Sequence, residues 1–274
     1  MSEAERAPSG VDPTVPSVAR MYDYYLGGKD HFAADRAAAE RIIALGRETG
    51  NDVREMARQN RAFLGRAVRH MAEQGVRQFL DIGTGLPTRD NVHQVAQRVA
   101  PDARVVYVDN DPIVLVHARA LLTGDPCTTV IDGDLRDPKA VLGAAAAHLD
   151  LDEPVGVLLL AILHFVPDDD EVASIVAALR EPLVPGSHLA ISHVHEGTVD
   201  AAKAAEAGQV YSRTTSGSIT NRDQHRLAVL FEGTELLDPG VVPVSAWRPD
   251  PDWAYETEVD FTKPGFLGGT GRIA

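Results

Sequence analysis

The stretch Phe79-Leu80-Asp81-Ile82-Gly83-Thr84-Gly85, followed one helical segment later by Arg104-Val105-Val106-Tyr107-Val108-Asp109, constrains this chain more than any other feature. The first half reads as a buried strand ending in an acid and a glycine turn, and the second as a β-branched run ending in a carboxylate. Two parallel strands, with a tight turn after one and an acid at the tip of the next, form a nucleoside-binding crevice. The glycines let backbone amides approach a ligand where a Cβ would clash or forbid the dihedral angles. A carboxylate at the second tip accepts from both hydroxyls of a ribose. The pattern predicts an adenosine-containing cofactor.

What is missing narrows the choice. A dinucleotide fingerprint needs a third glycine in G-x-G-x-x-G, where the helix start meets a pyrophosphate. That position is Thr88, preceded by Pro87, and no Walker-type lysine follows. An acid before the first glycine without a pyrophosphate cradle suits a cofactor with ribose and adenine but no phosphate, namely S-adenosylmethionine. A nicotinamide-dependent oxidoreductase is disfavoured by Thr88.

Composition sets outer limits. The 274 residues suffice for one large α/β domain with an appended segment. A formal charge of −14 argues against a nucleic acid or an anionic membrane as the main partner. No apolar run approaches the ~20 residues that span a bilayer, and Met1 to Gly10 lacks an apolar signal core. Cys127 is the single cysteine, so no disulfide forms within the chain, which fits a reducing cytoplasm.

Along the chain, residues 1–15 read as a disordered tail, 16–75 as an N-terminal helical lid, and 76–274 as the Rossmann-like domain. Asn51 is placed to cap a long helix whose apolar stripe runs from Val53 to Met71 and contains Asn60. From Gln78, strands and helices alternate as in a parallel sheet with crossovers. Val155 to Ala161 is continuously apolar, as a strand covered on both faces must be. Asp168 to Glu171 reads as a helix start rather than a metal site. Gly186 to Val194 is the fifth strand, Asn221 to Phe231 a helix, and Glu235 to Trp247 and Trp253 to Phe261 the last strands. His193 and His195 alternate on one strand face, but no third ligand accompanies them, and no metal is expected.

These residues resemble the S-adenosylmethionine-dependent methyltransferase-like family formerly listed as a domain of unknown function. The matching stretches are Pro16 to Asp30 (PSVARMYDYYLGGKD), Asn60-Arg61-Ala62-Phe63-Leu64, Phe79 to Asn91, Val105 to Pro112, and Leu163-His164-Phe165-Val166-Pro167. The resemblance spans Pro16 to about Trp247. It implies an α/β class I methyltransferase fold: a mostly parallel seven-stranded sheet, the last strand antiparallel, with helices on both faces. It places the cofactor above the carboxyl ends of the first strands and supplies no substrate.

Residue roles follow on that basis. Asp81 anchors the turn and reaches the methionine amino group, while Gly83, Thr84 and Gly85 lie under the methionine and ribose. Asp109 binds the ribose hydroxyls with Asn110 in support, and Asp134 with the Leu135 backbone meets the adenine edge. His164, after the fourth strand, is a candidate base for an oxygen or nitrogen nucleophile. The segment around Tyr22, Tyr24, Tyr25, Gly27 and Gly28 reads either as a lid over a small-molecule site or as a helix with a glycine C-cap. In the lid reading Tyr22 joins His164 at the acceptor, and Arg20, Tyr24, Gly28, Lys29, His31, Asn60 and Arg61 border it. The expected function is methyl transfer to a small molecule; a sensor that binds S-adenosylmethionine or S-adenosylhomocysteine without turnover is the alternative.

Overall fold

The computed structural model describes residues 10–88, 90–122, 124–250 and 259–274. Three helices come first, α1 (Val18–Tyr25), α2 (Ala33–Glu48) and α3 (Val53–Glu73). Strands then alternate with helices: β1 (Gln78–Ile82), α4 (Val92–Val99), β2 (Arg104–Asp109), α5 (Pro112–Leu121), β3 (Thr128–Asp132), α6 (Pro138–Ala145), β4 (Val155–Leu160), α7 (Asp169–Arg180) and β5 (His188–His195). After α8 (Ala201–Tyr211) and α9 (Gln224–Val229) come three further strands, β6 (Glu235–Leu236), β7 (Val242–Pro243) and β8 (Gly265–Arg272).

The sheet runs β3-β2-β1-β4-β5-β8-β6, with β7 also pairing β8. β1 to β5 are mutually parallel and β8 runs antiparallel to β5. Every residue of β1 and β4 is buried, as strands sandwiched between helix layers require. Alternation within β2 sends Val106 and Val108 to one core and Val105 and Tyr107 to the other. A third, smaller core sits apart from the sheet: Met21, Tyr25, Ile42, Ile43, Leu45 and Ala57 of α1, α2 and α3 pack together.

Three expectations need correction. The sheet has eight strands rather than seven, because the segment before the antiparallel strand makes two short pieces. The antiparallel strand itself is Gly265–Arg272, not Trp253 to Phe261, and residues 253–258 of that expected strand lie outside the described residues. Four glycines disguise it, since glycine has poor strand propensity. Their purpose is close approach: a Cβ on Gly271 would lie 2.2 Å from Thr234 Oγ1, and one on Gly268 would lie 3.0 Å from the Phe63 ring. Finally, Asp52 rather than Asn51 caps α3, its carboxylate accepting from the Arg54 and Glu55 amides. Aspartate caps well because a short side chain reaches two otherwise unpaired amides.

Of the expected N-terminal tail, residues 10–15 are described, and Val11 packs beside Leu86, Ile113 and Val114 next to the glycine turn.

Candidate functional site

All the strand tips that carry the predicted residues open onto one cavity of about 880 Å³. It lies at the carboxyl ends of β1 to β5, and α1, α2, α3 and α8 supply the rest of its wall. Small-molecule pockets commonly measure about 300–1,000 Å³, so this one has room for more than one ligand fragment.

The glycine turn is stitched to its neighbour strand, since the Gly83 and Thr84 amides both donate to the Val108 carbonyl at 2.8 and 3.2 Å. Gly83 has φ +73° and a Cβ there would come within 2.6 Å of Ile162, so only glycine fits. Gly85, at φ +66°, faces open space. Ile162 is brought against the turn by Ala161, whose φ of +54° bends the chain sharply after β4. A non-glycine residue in that region carries strain of the sort that collects at functional sites.

The two acids are buried and organised. Asp81 Oδ2 accepts from Thr84 Oγ1 at 2.9 Å. Asp109 Oδ2 accepts from the Gly85 amide and its Oδ1 from the Asp111 amide, both at 2.9 Å. Burial pushes both carboxyls up to about 6, because desolvation disfavours the charge more than these donors favour it. Asn110 Nδ2 donates to Asp134 Oδ2 at 3.4 Å, and Asp134 Oδ1 accepts from the Arg136 amide at 2.9 Å. Leu135 completes that end of the wall.

The segment expected to form a lid divides. Arg20, Tyr22, Asn60 and Arg61 line the cavity, whereas Tyr24, Gly28, Lys29 and His31 do not. Tyr24 turns outward to Glu40 at 2.5 Å and meets the His31 ring edge-on. Gly27 and Gly28 end α1, their amides donating to the Tyr24 and Asp23 carbonyls, and Gly27 has φ +83°. Those glycines are a helix C-cap. Arg20 is committed to Asp35 at 2.8 Å and to the Val15 carbonyl at 2.7 Å. Tyr22 Oη donates to the Ala57 carbonyl at 3.2 Å and accepts from Asn60 Nδ2 at 2.9 Å. Asn60 Oδ1 is left buried without a partner.

Two histidines stand on the cavity wall, His164 and His195. His164 Nδ1 lies 3.5 Å from the Val194 amide, which can only donate, so the ring proton belongs on Nε2. Burial, with the nearby His193 and Arg222, holds its imidazole well below the ordinary range. His195 is the reverse case. Its Nε2 lies 2.7 Å from the Phe261 carbonyl, which can only accept, so the proton sits there and Nδ1 keeps a lone pair. That Nδ1 is buried and has no partner.

Sequence reasoning missed His195 as a site residue, and also Arg222. Fully buried Arg222 donates to Asp169 at 2.8 Å and to the Leu163 and Val166 carbonyls at 3.2 and 2.9 Å. It also holds His193 Nε2 at 3.1 Å. It pins the turn that carries His164 to β5, a role that a polar loop sequence does not advertise. His193 Nδ1 in turn meets the Val194 carbonyl at 2.8 Å. Among the described residues no cluster of three or more metal-ligating side chains occurs.

An acid–glycine turn, a buried tip acid and a cavity above the parallel strands match a known family. A family model described as S-adenosyl methyltransferase covers residues 4–274. The chain belongs to the S-adenosyl methyltransferase family. It is 39% identical to a DUF574 family protein from Streptomyces avermitilis MA-4680, with a TM-score of 0.85 over 96% of this chain and 99% of that one. It is also 38% identical to a candidate methyltransferase from Thermobifida fusca YX, again with a TM-score of 0.85, over 98% and 99% of the two chains. No curated protein matches the sequence. The enzyme's cofactor is S-adenosylmethionine, and the residues present fit it. Gly85 leaves space where a Cβ would intrude, and two desolvated carboxyls, Asp81 and Asp109, line the cavity as acceptors for hydroxyl or amino groups. Among the described residues no helix of this methyltransferase is long and apolar enough to cross a membrane.

With Asp109 expected on the ribose hydroxyls, its raised carboxyl predicts a pH dependence of cofactor binding. Only ionised Asp109 accepts from two hydroxyls, so affinity should fall as pH drops through about 6. At pH 5 about one-tenth of such a group is ionised, which predicts a loss of about tenfold relative to pH 7 and more where Asp81 contributes. Asp109→Asn should bind S-adenosylhomocysteine at least about tenfold more weakly at pH 7, as expected for lost charge-assisted hydrogen bonds of about 1.5–3 kcal/mol. It should also show a shallower slope. Calorimetric titration at pH 5, 6 and 7 checks both, and unchanged affinity at pH 7 in the folded variant would remove Asp109 from the ribose.

Proposed function

We propose that this methyltransferase acts on a small-molecule acceptor that enters the cavity beside the cofactor. The observation that carries this reading is a single cavity running from the glycine turn, past the end of β4, to the space beneath α8. Asp81, Thr84 and the turn amides would hold the methionine end, Asp109 and Asn110 the ribose, and Asp134 with the Leu135 backbone the adenine. When bound, S-adenosylmethionine supplies a methyl group on a positively charged sulfur. The protein's tasks are then to hold the acceptor atom in line and to take its proton.

Two histidines compete for the proton. A base needs an available lone pair and adequate basicity. His164 spends its lone pair on the Val194 amide, and its burial makes it a weaker base. His195, on the cavity wall, keeps a buried Nδ1 without a partner, with the Phe261 carbonyl fixing the tautomer as a carboxylate does in a catalytic triad. We therefore assign proton removal to His195 and orientation of the acceptor, by donation from Nε2, to His164. Tyr22 acts one step back by holding the Asn60 amide. The acidic surface and single cysteine favour a cytoplasmic setting.

The test is a metabolite screen with methyl-labelled cofactor and the purified chain, read as label in a small molecule. Firm S-adenosylhomocysteine binding with no labelled product from a broad screen would replace the enzyme by a silent cofactor sensor.

A further inference from the structure

The cofactor roles above use the side of the cavity at β1, β2 and β3. The remaining side lies beyond β4, between the lid and α8. No residue of α8 is buried, yet Ala204, Ala207, Gly208 and Tyr211 line the cavity. A helix in a folded protein ordinarily hides one face against a neighbour. Here Ala207, Val210 and Tyr211 rest on the small core of α1, α2 and α3, while beside them a Cβ built on Gly208 finds no atom within 4 Å.

The wall opposite is hydrocarbon and aromatic. Tyr25, Ile42, Leu45 and Ala57 belong to the lid's own small core and also border the cavity. The Phe165 and Tyr211 rings lie 6.4 Å apart, tilted by 51°. The cations nearby are already matched: Arg20 is on Asp35, Arg41 reaches Glu206 at 2.7 Å, and Lys203 is on Glu48. Polar side chains on this side are partly paired, Asn221 Oδ1 accepting from the Glu196 amide at 3.0 Å. The Tyr25 and Tyr211 hydroxyls pair at 3.3 Å, and Asn60 Oδ1 is an acceptor with nothing to accept from. Glu196 is a carboxylate on the β5 side.

We infer that this chamber is the acceptor subsite, and that it takes an uncharged, flat ring compound carrying one hydroxyl or N–H group. The ring replaces water against apolar walls, which drives binding without a charge partner. Its single donor is the reacting group, which His164 orients and His195 deprotonates. A charged acceptor would lose its hydration and meet side chains already engaged with each other. This inference rests on the methyltransferase reading proposed above.

Three probes share one ring system: 2-naphthol, 2-naphthoate and 2-naphthylmethylammonium, each titrated into the full chain saturated with S-adenosylhomocysteine. The neutral probe should bind at least about tenfold tighter than either ion. Gly208→Phe fills the space beneath α8 and should weaken 2-naphthol by more than about tenfold while leaving S-adenosylhomocysteine within about threefold. Ala207→Leu, a smaller intrusion on the same face, serves if the first variant does not fold. Preference for 2-naphthoate, or naphthol binding unchanged by the filling variant, overturns the inference. Preference for the ammonium does so too, by making Glu196 the determinant. Failure of S-adenosylhomocysteine to bind at all is a separate result that removes the methyltransferase reading itself.

Discussion

His195→Ala should lower the rate of methyl transfer by roughly 10²–10⁴, the contribution of a positioned general base. S-adenosylhomocysteine affinity should stay within about threefold, because His195 lies at the end of β5 and away from the adenosyl residues. His164→Ala should cost less, about tenfold, which is the value of one hydrogen bond of about 1–1.5 kcal/mol to the acceptor. Single-turnover rates with the acceptor from the labelled screen separate the two. A larger loss at His164 would return the base to the residue after β4. Equal large losses would mean that the two rings act as one unit, as coupled catalytic groups often do. The pH dependence adds a second readout. His164 stays neutral well into the acid range, so its removal should leave the pH profile of the rate at saturating cofactor unchanged. Removal of the true base should alter it.

Asp35→Ala should destabilise the protein by about 3–5 kcal/mol, the cost of stranding a buried charge. Asp35 and Arg20 are both fully buried and their side chains meet at 2.8 Å. Asp35 also gathers the amides of Ser17 and Phe32 at 2.9 and 2.7 Å, so one carboxylate joins the start of α1 to the start of α2. The guanidinium lies over the Phe32 ring, 5.1 Å from its centre. Denaturant titration followed by tryptophan fluorescence and circular dichroism measures the loss. The double variant Arg20→Met with Asp35→Ala should recover part of it, because the stranded charge is gone, but not all, because two backbone amides still lack their acceptor. No recovery would show that the amides, rather than the ion pair, carry the stability. Hydrogen exchange should report the loss first in α1 and α2, whose small core is separate from the sheet.

Much of the site was legible because local chemistry dictates it. A β-branched run needs no tertiary information to become a strand, and Gly83 and Gly85 mark a turn whose dihedral angles other residues resist. The acids at the tips of β1 and β2 follow from the strand ends alone, as do the start of α7 at the acid run Asp168 to Glu171 and the fully buried character of β4. The excluded alternatives were legible too, since the missing third glycine is a fact about one position, Thr88. Tertiary structure decided whatever depends on which partner a group finds. Glycine-rich Gly265–Arg272 is a strand because it pairs along its length with β5, and its glycines let Phe63, Val244 and Thr234 lie close against it, a reason absent from its own residues. Arg20 looked like a lid cation and became a buried structural ion because Asp35, 15 residues away, folds onto it. The two histidines differ only by what lies beside each nitrogen, an amide hydrogen for His164 and a carbonyl oxygen for His195. Sequence names the imidazoles, but the tautomer that decides which one can take a proton is written by backbone atoms up to 66 residues distant.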